Sequence, residues 1–293
     1  MKSTPIAASS ARAPGTCGEL VQGWIEGAHF HITCPIDIYA TARVELFEGP
    51  AGVRGPSDCP KALQAVRLTL ETLGVSNLAA HLSVESPLPR GKGMASSTAD
   101  VAAAIAATGA ALGKTLSPDE IAGIALRVEP SDGLMFPGIA LFDHKHGTHR
   151  ELLGEPPPMC VLVLDFAGAV DTLEFNAHDL SSALKEREPR WREAAGLVRQ
   201  GIRQGDLRDI GLGATLDSLA FAEIVPRPQL QAVLALAKEA GALGINTAHS
   251  GMVMGLLLPP DGEVLARARR LALERFPPLE GAYPCTLVGG GVL

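Results

Sequence analysis

The stretch Pro87-Leu88-Pro89-Arg90-Gly91-Lys92-Gly93-Met94-Ala95-Ser96-Ser97-Thr98-Ala99-Asp100 sets two glycines and two serines between a strand-like segment and a helix-like one. Gly91 and Gly93 permit backbone angles and close approaches that a side chain would block. A helix that opens directly after such a turn presents free N–H groups and the positive end of its dipole, a site suited to the phosphates of a nucleotide. Ser96 and Ser97 add hydroxyls that bind phosphate or complete the shell of a Mg²⁺ ion. The spacing is not that of a Walker A loop, because Lys92 precedes the second glycine, and it is not G-x-G-x-x-G. A glycine turn with a capped helix, made only for folding, is the alternative.

Three further segments carry groups able to do chemistry. In Glu129-Pro130-Ser131-Asp132-Gly133, two carboxylates stand three residues apart around a proline and a glycine that favour a turn. If the turn brings both to one site, one can hold Mg²⁺ while the other accepts the proton of an attacking hydroxyl; a solvated helix-end turn is the alternative. Ala13-Pro14-Gly15-Thr16-Cys17-Gly18-Glu19-Leu20-Val21-Gln22-Gly23 surrounds one acid with glycines. Glu19 or Gln22 can hydrogen-bond an amino or hydroxyl group, or the segment is a hairpin with an exposed Glu. Cys17 has no base near it in sequence and reads as a small buried filler. Ala248-His249-Ser250-Gly251-Met252-Val253-Met254-Gly255 is a small-residue turn entering a strand, and ordinary β packing accounts for it.

The elements that must position these groups follow from periodicity. Residues 29–47 are rich in β-branched and apolar types and predict strands around a turn. A helix is predicted over 58–73, with Pro60 in its first turn and Leu63, Val66, Leu70 and Leu73 as its stripe. Residues 81–85 alternate as a half-buried strand. The helix 97–112 starts on an S-x-x-D pattern at Ser97 and Asp100, and a full capping box at Ser117 and Glu120 opens the helix 117–128. Pro156-Pro157-Pro158 marks a junction between domains at 1–155 and 156–293, since three prolines cannot continue a helix or a central strand. Beyond it the pattern predicts a strand at 159–166, a long charged helical region at 178–206, a helix at 228–240, a strand at 252–258, a helix at 262–275 and a strand near 285–288. That alternation predicts an α+β fold in two parts.

Composition narrows the function classes. The 293-residue chain carries a formal net charge of -7, with 4% aromatic residues and no basic block, which argues against nucleic-acid binding. No run of 18 apolar residues predicts a membrane span, and residues 1–13 lack the apolar core of a secretory signal. Five cysteines without a C-x-x-C pair fit a reduced, cytoplasmic protein. His144, His146 and His149 stand in a polar stretch without Cys partners and read as a solvated turn rather than zinc ligands.

In this order, the four segments resemble the GHMP kinases, a family that includes galactokinase, homoserine kinase and mevalonate kinase. Pro89 to Ala99 resembles the family's P-x-x-x-G-L-G-S-S-A loop, with Met94 and Ala95 in place of Leu and Gly. Residues 13–23 resemble its P-G…G-E motif, and residues 241–258 its Gly-rich C-terminal motif. The wording P-G-T-C-G-E-L-V-Q-G, P-R-G-K-G-M-A-S-S-T-A-D and V-E-P-S-D-G-L-M-F is most similar to the group that phosphorylates L-threonine in coenzyme B12 synthesis. The resemblance implies ATP and Mg²⁺ as cofactors, a small alcohol as acceptor, and a GHMP two-domain fold. Its N-terminal domain would be like domain 2 of ribosomal protein S5, and its C-terminal domain ferredoxin-like. It places Pro89, Arg90, Gly91, Lys92, Gly93, Met94, Ala95, Ser96 and Ser97 at the phosphates. Ser96 or Ser97 and Glu129 would serve the Mg²⁺–ATP, and Asp132 the acceptor hydroxyl, with Glu19 and Gln22 as substrate contacts. No membrane or nucleic-acid partner is implied, and a homodimer stays open. Two departures stand out. Many members carry Lys or Arg where this chain has Thr16, so Arg12, Arg43 or Lys92 does that work or the site does without it. The family's P-S-G-x-D pattern is shortened to Pro130-Ser131-Asp132.

Overall fold

Two long antiparallel strands, β1 (Ala7–Ile25) and β2 (Ala28–Glu48), form the spine of the fold. The structure is a computed structural model that describes residues 4–168, 179–277 and 279–293. From Ala13 to Gly23 every residue of β1 is buried, and several helices pack against the strand. Residues 29–47 form one strand where strands around a turn are expected. The segment holds no glycine to reverse the chain, and β1 is long enough to pair along it, with register shifts beside Pro14 and around Glu19 taking up the irregularity.

The remaining elements are β3 (Gly52–Arg54), α1 (Pro60–Thr72), β4 (Leu78–Glu85), α2 (Ser96–Ala111), α3 (Pro118–Val128), β5 (Ile139–Phe142), β6 (Arg150–Gly154), β7 (Cys160–Phe166), α4 (Ser181–Glu186), α5 (Glu188–Gln204), α6 (Leu207–Ala222), α7 (Leu230–Ala240), β8 (Gly244–Thr247), β9 (Val253–Leu258), α8 (Gly262–Arg275) and β10 (Leu279–Thr286). The sheet runs β10-β7-β9-β8-β1-β2-β4-β3, with β5 beside β2 and β6 beside β5. A single pairing, Glu19 with Thr247, joins β1 to β8 and links the first part of the chain to the second.

The capping box at Ser117 forms as expected: its hydroxyl accepts the Glu120 N–H, and the Glu120 carboxylate accepts the Ser117 N–H. The expected helical region 178–206 breaks at Arg187 into α4 and α5; Pro189 lacks the N–H that a continuous helix would need, and residue 178 lies outside the described residues. Helix α6 has no clear apolar stripe because it is packed on more than one side. A Cβ on Gly211 would stand 2.4 Å from the Leu243 carbonyl oxygen. Buried side chains form two clusters. One spans both parts of the chain; the other comes wholly from residues beyond 158, centred on Leu162, Leu164, Val233, Leu236, Leu256 and Ala268. Among the described residues no helix is long and apolar enough to cross a membrane.

Candidate active site

Helix α2 begins without a side-chain cap. The expected S-x-x-D cap at Ser97 and Asp100 does not form. The N-cap is Ala95, in the left-handed region at φ 52°, and Ser97 and Asp100 are engaged elsewhere. The loop before it is tied down through its carbonyls. Lys92 O accepts from the Met252 and Val253 amides at 2.9 and 3.1 Å, Gly93 O from Gly18 at 3.2 Å, and Met94 O from Thr16 at 3.0 Å. Those bonds commit the loop's carbonyl oxygens to β1 and to the turn before β9. The uncapped amides of α2 therefore open on a cleft of about 400 Å³, an arrangement that attracts anions.

Glu129 closes α3 in an extended conformation and reaches the same cleft. Lys61, in the first turn of α1, donates to its Oε2 at 2.6 Å, and the Ser97 hydroxyl donates to its Oε1. A hydroxyl and a carboxylate side by side at the mouth of free helix amides are the hard oxygen donors that a divalent cation beside phosphates requires. The next turn is held by Ser131, whose N–H donates to His144 O at 2.9 Å and whose hydroxyl donates to Glu129 O at 3.0 Å. Asp132 is thereby turned into the cleft, where its Oδ1 accepts from His31 Nδ1 at 2.9 Å.

The inner end of the cleft is built from imidazoles and acids. His31 (β2) stacks on His144 (after β5) with ring centroids 3.7 Å apart and planes 17° apart, and lies 4.6 Å from His249 (after β8). Glu19 Oε1 stands 3.6 Å from His31 Nδ1, and the Glu19 carboxylate accepts a backbone N–H from His249. Gln22 Oε1 accepts from His249 Nδ1 at 2.6 Å, while the Gln22 N–H donates to the buried Asp217 at 2.8 Å. Burial, then the neighbouring imidazoles, hold His144 and His249 well below the ordinary histidine range. Burial, then Asp132 and Asp217, push Glu19 well up. Six buried atoms here have no hydrogen-bond partner among the described residues: Glu19 Oε2, His31 Nε2 and both ring nitrogens of His144, which line the cleft, and Gln22 Nε2 and Asp217 Oδ2 behind it.

Most of the expected residues converge on this cleft. Glu19, Arg90, Gly91, Gly93, Met94, Ala95, Ser96, Ser97, Glu129 and Asp132 line it. Pro89, Lys92 and Gln22 do not. Lys92 is turned toward the second part of the chain, 3.0 Å from Asp165 and 3.1 Å from Phe166 O, and pairs with Glu280; Gln22 sits behind His249. None of the three cations considered in place of Thr16 stands beside Asp132. Arg12 lies over the Tyr39 ring, Arg43 pairs with Glu45, and Lys92 is committed as described. Among the described residues, the lysine and arginine that line the cleft are Lys61 and Arg90. Arg90 donates to Cys59 Sγ at 3.0 Å and stands 3.4 Å from Asp100, which burial and then the opposing effects of Arg90 and Asp58 leave raised to about 6.

His144 departs from the solvated turn expected of it: it is 3% exposed. The sequence signal for Lys61 was absent, since it reads only as a first-turn helix residue. The alternation His29-Phe30-His31 in an otherwise apolar strand was the available sign that a histidine faces inward. Cys17 is fully buried, with its thiol pushed up by burial, and fills space as expected. The glycines before β9 serve packing: a Cβ on Gly251 would meet Lys92 O at 2.3 Å.

Residues 60–137 match the family described as GHMP kinases N terminal domain. The chain is 33% identical to an L-threonine kinase of Salmonella typhimurium, over 90% of this chain and 88% of that one. It is 32% identical to an L-threonine kinase of Citrobacter freundii, over 85% of each. The crystal structure of homoserine kinase from Cytophaga hutchinsonii superposes with a TM-score of 0.75 at 18% identity, covering 100% of this chain and 99% of that one, a likeness of fold. The chain therefore belongs to the GHMP kinase family and is an ATP-dependent kinase.

Proposed function

We propose that this protein transfers the γ-phosphoryl group of ATP to the side-chain hydroxyl of L-threonine, forming O-phospho-L-threonine for the aminopropanol linker of cobalamin. The observation that carries the acceptor is the likeness to two L-threonine kinases over at least 85% of both chains. The polarity of the cleft supports it: cations and free helix amides at one end, carboxylates and imidazoles at the other.

Phosphoryl transfer asks a protein for alignment and charge stabilisation more than for covalent help. On this reading the phosphates lie against the amides of α2, with Arg90 and Lys61 offsetting their charge. Ser97 and Glu129 hold Mg²⁺, which when bound neutralises phosphate oxygens. Lys61 fixes the carboxylate of Glu129. Asp132 accepts the hydrogen bond of the threonine hydroxyl and takes its proton as the oxygen attacks. His31 holds Asp132 in orientation from the other side. Glu19 lies on the acceptor side, and Gln22 supports it through His249. We also take 1–155 as the ATP-binding domain and 156–293 as the C-terminal domain, a division supported by the buried cluster drawn wholly from beyond residue 158.

A coupled ADP-release assay with L-threonine, L-serine, L-homoserine and 1-amino-2-propanol tests the reaction. L-Threonine is expected to give the highest kcat/KM. A preference for homoserine would move the acceptor within the family, and no ADP release with any of the four would remove the acceptor assignment.

A further inference from the structure

We infer that His31, His144 and Glu19 form a recognition site for the head group of an α-amino acid, with Glu19 and His31 facing its ammonium and His144 its carboxylate. The inference rests on the kinase reading above and concerns how the acceptor is chosen. Its basis is the set of unpartnered buried atoms at the inner end of the cleft: Glu19 Oε2, His31 Nε2 and both nitrogens of His144. Buried polar atoms in folded proteins are nearly always paired, so a group of four on residues that all line one cleft points to a polar ligand.

The atoms divide by chemistry. His31 Nδ1 donates to Asp132, so in the neutral ring Nε2 is left as an acceptor. Glu19 Oε2 is an acceptor as well when ionised, and among the described residues no lysine or arginine is paired with Glu19; Lys61 and Arg90 of the cleft stand at Glu129 and Asp100. Glu19 is pushed up by burial and by the neighbouring acids, so an ammonium placed between its Oε2 and His31 Nε2 favours the ionised, accepting form and is held by two acceptors. His144 is held neutral by burial and keeps one N–H without an acceptor among the described residues, which suits a carboxylate. Its face is pinned by the stack on His31, so the N–H is presented in a set direction. Asp132 stands next to His31, so an amino acid held by its head group has its side-chain hydroxyl at the base. A ligand lacking either charge leaves buried groups unpaired, the situation in which polar sites discriminate most strongly.

His144→Phe keeps a ring to stack on His31 and removes the hydrogen-bonding nitrogens. The measurement is the ratio of kcat/KM for L-threonine to that for 1-amino-2-propanol, which lacks only the carboxylate; where turnover is slow, competitive inhibition constants replace it. The ratio is expected to fall by about 10- to 100-fold in the variant, with KM for ATP as the control for folding and nucleotide binding. Glu19→Gln is expected to lower the ratio of L-threonine to 3-hydroxybutyrate, which lacks the ammonium, in the same way. If His144→Phe lowers kcat/KM for both acceptors equally, the recognition role is overturned while the kinase reading stands. If the wild-type enzyme prefers another β- or γ-hydroxy amino acid, the threonine assignment fails, and the same ratio measured with that amino acid still decides this inference. Stoichiometric Zn²⁺ retained by the wild-type protein and lost in His144→Phe would overturn it in favour of a metal site.

Discussion

His31 Nδ1 lies 2.9 Å from Asp132 Oδ1, although 101 residues separate the two in sequence. The pair couples the strand that forms the spine of the sheet to the turn that follows α3. It leaves Asp132 with one oxygen committed and its side chain 17% exposed toward the cleft. A carboxylate so held has a fixed direction in which to accept a proton.

Asp132→Ala is expected to lower kcat by about 10²–10⁴ while ATP binding persists, since a positioned base acts on the chemical step. Steady-state kinetics with a parallel nucleotide titration separate the two effects, and near-normal turnover would remove the base assignment.

Glu129 is held between Ser97 and Lys61, and on the proposed reading its loss affects the metal before the phosphates. Glu129→Ala is expected to raise the Mg²⁺ concentration for half-maximal activity at least about tenfold, a loss typical when a metal-holding group or its support is removed. An unchanged Mg²⁺ titration would contradict it.

Gly93 has φ 85°, and a Cβ there would stand 2.3 Å from the Ala248 Cβ and 2.7 Å from the Ser250 carbonyl oxygen. Gly93→Ala therefore cannot be absorbed without moving the loop off the turn before β9. It is expected to cost about 1–3 kcal/mol in chemical denaturation and to weaken ATP binding. Unaltered nucleotide affinity would mean that the loop does not hold the phosphates.

Asp100 is 3% exposed and its carboxyl is raised to about 6, chiefly by burial. A folded-state value above the unfolded one means that the native protein binds the proton more tightly. This group's contribution is therefore most favourable at low pH and falls as pH rises from about 4 to about 6. The loss amounts to no more than about 3 kcal/mol. Asp100→Asn is expected to flatten the stability profile over that window, measured by denaturation at pH 4.5 and 7. Parallel profiles for the two proteins would show that Asp100 is not the group responsible.

Much of the site was legible in the linear sequence because its parts are local. A glycine-rich turn before a helix, and two acids around a proline at the end of the next helix, are short-range patterns with short-range causes. Ser97 and Glu129 were both expected at the metal and do meet. The cap at Ser97 was misread for a related reason: the hydroxyl that would cap α2 in isolation is drawn to Glu129, 32 residues on. Lys92 shows the converse. It sits inside the loop motif, yet Asp165 and Glu280, 73 and 188 residues away, attract its ammonium out of the cleft.

The sequence by itself determined the element types in most places, the glycine-rich turn before α2, the two carboxylates after α3 and the family. Each rests on periodicity, backbone conformation or motif wording within a few residues. Tertiary structure alone decided that Arg12, Arg43 and Lys92 are engaged away from Asp132, and what forms the inner end of the cleft. His31 comes from β2, His144 and His249 from the segments that follow β5 and β8, and Lys61 from a helix whose own pattern marks it as a solvated residue. No local rule reports such a meeting. Burial holds His144 and His249 well below the ordinary histidine range, and burial is a property of the packed whole.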